Sequence, residues 1–137
     1  MSGTVTKPLP VPTPESAEYW AGAARGELLI QRCTSCGRHQ FYPRIVCAAC
    51  ASRHIEWVRA TGSATVRSFT IVRRPVSEAY AAEVPYVVAL VTLDEGPTLM
   101  TNLIDCEPAA VRIGMRVAVR FEPWTQAITV PKFAPID

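Results

Sequence analysis

The chain has 137 residues, of which 49% are hydrophobic, and it has a formal net charge of +2 at pH 7. This length suits one ordinary domain or two small ones, and the apolar content is sufficient for a compact core. No apolar run approaches the roughly 20 residues that a bilayer-crossing helix requires, and no basic start followed by an apolar stretch indicates export. We therefore expect a soluble, cytoplasmic protein.

The N-terminal part divides into a proline-rich tail and a short helix. Residues 1–13 are expected to be extended or disordered, because their prolines suit neither a helix nor a sheet ladder. A helical segment is predicted over residues 14–26. Thr13 is a plausible N-cap, Pro14 fits the first helical position, and Gly26 ends the pattern.

Two Cys-x-x-Cys pairs follow the helix, and their spacing predicts a metal site. A two-residue gap lets both thiolates of a tight turn face one cation, and two such turns supply the closed tetrahedral shell that zinc prefers. The predicted ligands are Cys33, Cys36, Cys47 and Cys50. Zinc is favoured over iron, although an all-sulfur tetrahedron holds either metal. The absence of an export signal argues against disulfides, and four protein ligands leave no open position for a substrate.

Short apolar segments on either side of the cysteines predict a zinc ribbon over residues 27–60. The predicted strands are residues 27–32, 38–42 and 55–58. His39 and His54 raise a mixed-ligand alternative, but four cysteines already saturate the metal. Both histidines are therefore expected to lie outside the coordination shell.

Consecutive strands are predicted from residue 61 to the C-terminus. Residues 63–72 alternate with period two, and residues 85–93 are almost continuously apolar, which indicates burial on both faces. Further strands are predicted at residues 98–104, 117–122 and 127–130, with a helical turn between the third and the fourth. This pattern predicts a five-stranded barrel of the oligonucleotide- and oligosaccharide-binding type (OB-fold) over residues 61–137. The fold class is thus mainly β, with an N-terminal helix, a zinc ribbon and a barrel.

The remaining residues offer little for catalysis. Cys106 stands between Asp105 and Glu107, whose carboxylates disfavour the thiolate, so it is interpreted as a small core residue. Neither histidine is recognisably paired with a serine or a carboxylate. We expect no enzymatic activity from the chain alone.

A series of further motifs gives the sequence a more specific signature than the cysteine pairs alone. They are, in order, Gly26-Glu27-Leu28, Gln31-Arg32-Cys33-Thr34-Ser35-Cys36-Gly37, Tyr42-Pro43-Arg44, Pro85-Tyr86-Val87-Val88-Ala89, Leu93-Asp94-Glu95-Gly96 and Phe133-Ala134-Pro135. From about Pro14 to Pro135 this combination closely resembles the zinc-ribbon and OB-fold proteins associated with acyl-CoA metabolism. The resemblance implies a rubredoxin-like ribbon, a C-terminal OB barrel and a small subunit that works beside a thiolase-like enzyme.

The resemblance also implies a non-catalytic accessory role. The chain would form a hetero-oligomer with a thiolase-like large subunit of the acyltransferase, thiolase or steroid side-chain aldolase type, and would help to position acyl-CoA. Guanidinium groups match phosphate geometry, and aromatic side chains suit the apolar parts of CoA. The predicted contacts are Arg44, Arg73 and Arg74 for phosphates, and Phe69, Tyr86 and Trp124 for apolar parts. For Phe69 and Tyr86 the alternative is a place in the barrel core.

A single-stranded nucleic-acid binder is the alternative function, because ribbons and OB barrels both serve that purpose. Such a protein needs a positive track along its groove. Residues 61–137 contain seven basic and eight acidic residues, and Lys132 is their only lysine. This charge balance disfavours nucleic acid as a partner.

Overall fold

The computed structural model describes residues 7–136, so residues 1–6 of the predicted tail and residue 137 lie outside it. Residues 7–13 form neither helix nor strand. Helix α1 spans Ala17–Ala24, and the strands are β1 Leu29–Cys33, β2 His39–Gln40, β3 Ile55–Arg59, β4 Ser63–Val72, β5 Tyr86–Leu93, β6 Thr98–Leu103, β7 Arg116–Pro123 and β8 Thr129–Pro135.

Helix α1 begins later than the sequence predicted. Residues 14–16 form a turn, and Ser16 is the residue that precedes the helix. The Thr13 N–H donates to Ser16 Oγ at 2.9 Å, and the Ser16 N–H donates to the Thr13 carbonyl at 3.0 Å. Thr13 therefore closes the turn before the helix, and Ser16 takes the N-cap position that was assigned to Thr13.

The ribbon is a three-stranded antiparallel sheet in the order β2-β1-β3. Strand β1 lies in the centre, where Gln31 is opposite Gln40 on one side and Trp57 on the other. Cys33 is the last residue of β1 and Cys36 lies in the turn that follows it, whereas Cys47 and Cys50 lie in the loop between β2 and β3.

The second half is a closed barrel in the order β4-β5-β6-β8-β7. Strand β4 closes the barrel by pairing with both β5 and β7, and its register shifts between Val66 and Ser68. All pairs are antiparallel except β6 with β8, which are parallel. The predicted five-stranded OB-fold is confirmed, and with it the mainly β fold class with an N-terminal helix.

Two short 3-10 helices lie in the connections between barrel strands. Pro108–Ala110 lies between β6 and β7, where a helical turn was predicted. Glu78–Glu83 lies between β4 and β5 and has no buried residue. Strand β8 is longer than predicted and contains Pro131, which the sheet accommodates although proline cannot donate a backbone hydrogen bond.

One apolar core connects the helix, the ribbon and the barrel. Tyr19 of α1 and Ile30 of β1 belong to the same buried cluster as Val66, Val91 and Phe133 of the barrel. Within residues 7–136, no helix is long and apolar enough to cross a membrane.

Candidate functional site

Two similar turns place the four cysteines. In the first, the Gly37 N–H donates to the Cys33 carbonyl at 2.8 Å, and Gly37 has a φ of +79°. In the second, the Ala51 N–H donates to the Cys47 carbonyl at 2.9 Å, and Ala51 has a φ of +62°. Glycine adopts this left-handed conformation freely, whereas alanine does so only when the surroundings hold it.

The sulfur atoms are arranged as a metal would require. All four Sγ atoms lie within 4.8 Å of one another. The Cys33 and Cys50 sulfurs are 3.7 Å apart, and those of Cys36 and Cys47 are 3.6 Å apart. A tetrahedron with zinc–sulfur bonds of about 2.3 Å has sulfur–sulfur edges of about 3.8 Å. The four thiols are free and too far apart for disulfide bonds, so the donor set fits the predicted metal site.

The surrounding backbone favours the thiolate form of the buried cysteine Cys33 more than that of the exposed Cys50. Backbone N–H groups of Cys36 and Ser35 lower the pKa of Cys33 to about 6, although burial opposes the shift. For Cys50, the Ser52 N–H favours the thiolate, but burial and the neighbouring thiols raise the pKa to about 11. Four thiolates would repel one another without a cation, and a divalent ion removes that repulsion.

Two glutamines hold the loop that contains the second cysteine pair. Gln31 is only 3% exposed, and its side chain bonds both backbone groups of Arg44, donating to the carbonyl at 2.9 Å and accepting from the N–H at 2.8 Å. Gln40 donates to Gln31 Oε1 at 2.7 Å and accepts from the Ala48 N–H at 2.8 Å. The loop is therefore fixed to the sheet independently of the metal.

The histidines and Cys106 lie outside the sulfur cluster, as predicted. His54 Nδ1 lies 3.3 Å from Ser35 Oγ, in a hydrogen bond on the surface. Cys106 packs against the apolar core, where burial and the charges of Asp105 and Glu107 raise its pKa. The thiol is thus held in its unreactive form.

The predicted CoA contacts do not all lie on one surface of the structure. Arg44 is exposed on the ribbon, and Phe69 packs partly buried against the core. Arg73 and Arg74 are exposed directly after β4, whose last residue, Val72, pairs with Tyr86. Arg73, Arg74 and Tyr86 therefore lie at one end of the barrel.

A chain of contacts connects Tyr86 to Trp124. The Tyr86 and Tyr80 ring centroids are 6.0 Å apart, and the Lys7 ammonium lies 5.3 Å from the Tyr80 ring and 4.9 Å from the Trp124 ring. Trp124 lines a cavity of about 610 Å³ together with Lys7, Leu9 and residues 122–125. Sequence reasoning did not find Lys7 and Tyr80, because nothing in the local pattern reveals a contact between residues so distant along the chain.

Two family profiles match the two halves of the chain. Residues 20–56 match the family described as "ChsH2, rubredoxin-like zinc ribbon domain", and residues 57–122 match "ChsH2, C-terminal OB-fold domain".

The chain is also similar to proteins of known sequence from several organisms. It is 35% identical over 129 residues to the "Probable enoyl-CoA hydratase alpha subunit" of Thermomonospora curvata, covering 94% of this chain and 40% of that protein. The chain thus spans about two fifths of the length of that subunit. A "DUF35 domain-containing scaffold protein" of Pyrococcus furiosus is 37% identical over 101 residues, covering 74% of each chain.

A solved structure described as "Ltp2-ChsH2(DUF35) aldolase" contains a chain with the same fold. The two superpose with a TM-score of 0.83 at 35% identity, covering 92% of this chain and 98% of the other.

Proposed function

Because the chain belongs to the ChsH2 family of rubredoxin-like zinc ribbons joined to OB-fold barrels, we propose that it is a non-catalytic accessory subunit of a thiolase-like enzyme. In this role it forms a hetero-oligomer with a larger subunit and helps to position an acyl-CoA. The observation that supports this best is the solved aldolase structure, in which a chain of almost the same extent and fold occurs.

The chemistry of the metal site supports an accessory role. Four cysteine ligands close the coordination shell, so a zinc ion held there neither activates water nor polarises a substrate. Its contribution is to the folding of a small segment, because binding free energy at such a site is folding free energy. The large subunit then supplies the reacting groups.

The end of the barrel that contains Arg73 and Arg74 is the proposed CoA contact surface. Both guanidinium groups are exposed and follow the strand that pairs with Tyr86, so phosphates and an adenine ring would meet adjacent groups of suitable chemistry. Trp124 is connected to this end through Lys7 and Tyr80. Arg44 and Phe69 remain predicted contacts on separate surfaces.

The first experiment tests whether the chain has the proposed partner subunit. We expect the full-length chain, purified from its native source, to be accompanied by a thiolase-like protein. Mass spectrometry identifies that protein, and light scattering of the two purified proteins measures whether they form a complex. Absence of a stable complex, or turnover of acyl-CoA by this chain alone, would contradict the proposal.

The CoA contact is tested in that complex. The double charge reversal Arg73→Glu with Arg74→Glu is expected to weaken CoA binding by at least about tenfold, since it replaces attraction by repulsion at two positions. The double substitution Arg38→Glu with Arg53→Glu is the matched control, because both arginines are exposed on the ribbon and far in sequence from the proposed surface. Isothermal titration calorimetry measures the CoA affinity of the complex with each variant. Equal affinity for the charge reversal at Arg73 and Arg74 and for the control would remove this surface from the proposal without affecting the accessory role.

A further inference from the structure

The ammonium group of Lys7 is surrounded by groups that attract cations. It lies 4.9 Å from the centroid of the Trp124 ring and 5.3 Å from that of Tyr80. It also forms an ion pair with Glu83. The face of an aromatic ring attracts an ammonium group, most strongly for tryptophan. We call Tyr80, Glu83, Glu122 and Trp124 the ammonium cage.

Glu122 fixes the tryptophan of the cage. Its Oε1 accepts a hydrogen bond from Trp124 Nε1 at 2.7 Å and lies 3.2 Å from the ammonium of Lys132. The Lys132 side chain is 7% exposed, and its ammonium is 5.5 Å from the Trp124 ring. Burial alone would raise the pKa of Glu122, but hydrogen bonds from Trp124 and Lys132 and the charges of Lys132 and Lys7 hold it below its usual value. The cage is thus oriented by groups of the barrel itself.

The segment that supplies Lys7 has few other means of attachment. Leu9 is 49% exposed and Val11 is 82% exposed, so burial of apolar surface contributes little between Lys7 and Thr13. A cavity of about 610 Å³ remains beside Lys7, Leu9 and the β7–β8 hairpin. The cage therefore holds the ammonium group of a segment, residues 7–13, that has no regular structure.

We propose that the ammonium cage is a binding site for a primary alkylammonium group, which Lys7 fills as an internal ligand and which a free alkylammonium fills when Lys7 is absent. Occupation by Lys7 holds residues 7–13 against the β7–β8 hairpin. The two rings select for a cation, and the Glu83 carboxylate selects for one that donates hydrogen bonds. Glu122 adds its negative charge and orients Trp124. This site does not depend on CoA binding or on a partner subunit.

The test uses the full-length chain labelled with 5-fluorotryptophan, in which ¹⁹F NMR resolves the three tryptophans and Trp124→Phe assigns one resonance. In Lys7→Ala the Trp124 resonance is expected to shift. Titration with n-butylammonium chloride is expected to return it towards the wild-type position and to saturate, because the free alkylammonium then occupies the cage. The wild-type chain, whose cage is filled, is expected to respond at least about fivefold less at equal concentration.

Matched variants show whether the shift depends on the positive charge at position 7. Lys7→Arg keeps the cation and is expected to resemble the wild type, and Lys7→Gln, which is neutral, is expected to resemble Lys7→Ala. Adding Tyr80→Leu to Lys7→Ala is expected to weaken n-butylammonium binding at least about threefold, because one of the two rings is lost. Unchanged resonances of Trp20 and Trp57, with unchanged metal content, establish that these variants fold.

Three results would overturn the proposal. The first is an unchanged Trp124 resonance in Lys7→Ala. The second is an equal effect of n-butanol, which would indicate an apolar cavity without cation selectivity. The third is an equal effect of sodium chloride at matched ionic strength, which would indicate simple screening.

Discussion

The cysteines of each pair differ in exposure. Cys33 is 1% exposed and Cys47 is 3% exposed, whereas Cys36 and Cys50 are exposed. The two buried sulfurs lie in turns whose backbone N–H groups point at them, from Cys36 to Cys33 at 3.5 Å and from Ala49 to Cys47 at 3.3 Å. These hydrogen bonds favour the thiolates that a metal needs, so the turns are prepared for binding before the metal arrives.

Replacing one exposed ligand tests whether the metal stabilises the fold. Cys50→Ser is expected to lose most of the bound metal and to destabilise the chain by more than about 4 kcal/mol, a size of effect associated with the loss of a metal site. Because Cys50 is exposed, lost packing accounts for little of that change. Elemental analysis and urea denaturation measure the two effects.

Cys106→Ser is the matched control for that experiment. It removes a thiol that packs against the core but lies outside the sulfur cluster, so the metal content is expected to stay unchanged. Full metal content in Cys50→Ser, or equal destabilisation by both substitutions, would contradict a structural role for the metal.

At the scale of elements, the junction between ribbon and barrel depends on Gly62. This residue precedes β4 with a φ of +88°, and its carbonyl accepts a hydrogen bond from the Val119 N–H at 2.8 Å. A Cβ atom built on Gly62 would lie 2.6 Å from Val119 Cγ1. The junction thus needs glycine for two reasons, its left-handed backbone and its close approach to β7.

Two alanine substitutions separate the cost of the left-handed backbone from the cost of the close approach to β7. Gly114 has a similar φ of +90°, but a Cβ atom there would meet nothing within 4 Å. Gly114→Ala is therefore expected to cost about 1–2 kcal/mol from backbone strain alone. Gly62→Ala is expected to cost at least about 1 kcal/mol more, because Val119 must also move.

Urea denaturation of a double-mutant cycle with Val119→Ala checks this assignment. The additional cost of Gly62→Ala is expected to decrease in the Val119→Ala background, since the contact is then relieved. The cost of Gly114→Ala is expected to stay the same in both backgrounds. Equal costs for the two glycines in the wild-type background would show that the close approach has no energetic effect.

The elements with strong local signals were predictable from sequence, and those decided by distant contacts were not. The cysteine spacing indicated the metal site, and the period-two alternation of residues 63–72 gave the bounds of β4 as observed. Strand β8 was predicted over residues 127–130, whereas its pairing with β7 places it at Thr129–Pro135. Pro131 and Pro135 weaken the local strand pattern, so the extension depends on the pairing and not on the local sequence. The ammonium cage was not predictable, because it joins Lys7, Tyr80 and Trp124 from three separate segments.

At the scale of the whole molecule, the helix holds the two β units together. Helix α1 packs against β1 of the ribbon and against β7 and β8 of the barrel. Tyr19 is 8% exposed, and its ring lies 5.3 Å from that of Phe41 in the ribbon. Burial raises the pKa of the Tyr19 hydroxyl, and the nearby Tyr42 raises it further. Because Tyr19, Leu28 and Ile30 share one core with the barrel, the ribbon does not have a core of its own.

A shared core predicts that the ribbon and the barrel unfold together. Thermal unfolding of the metal-loaded chain is expected to be one transition, with the same midpoint by far-UV circular dichroism and by tryptophan fluorescence. Removal of the metal by a chelator is expected to lower that midpoint by at least about 10 °C, because the ribbon supplies part of the core that the barrel needs. The same chelator saturated with zinc is the control and should leave the midpoint unchanged. Two separate transitions, with only the first sensitive to chelation, would show that the barrel is stable without the ribbon and that the common core couples them only weakly.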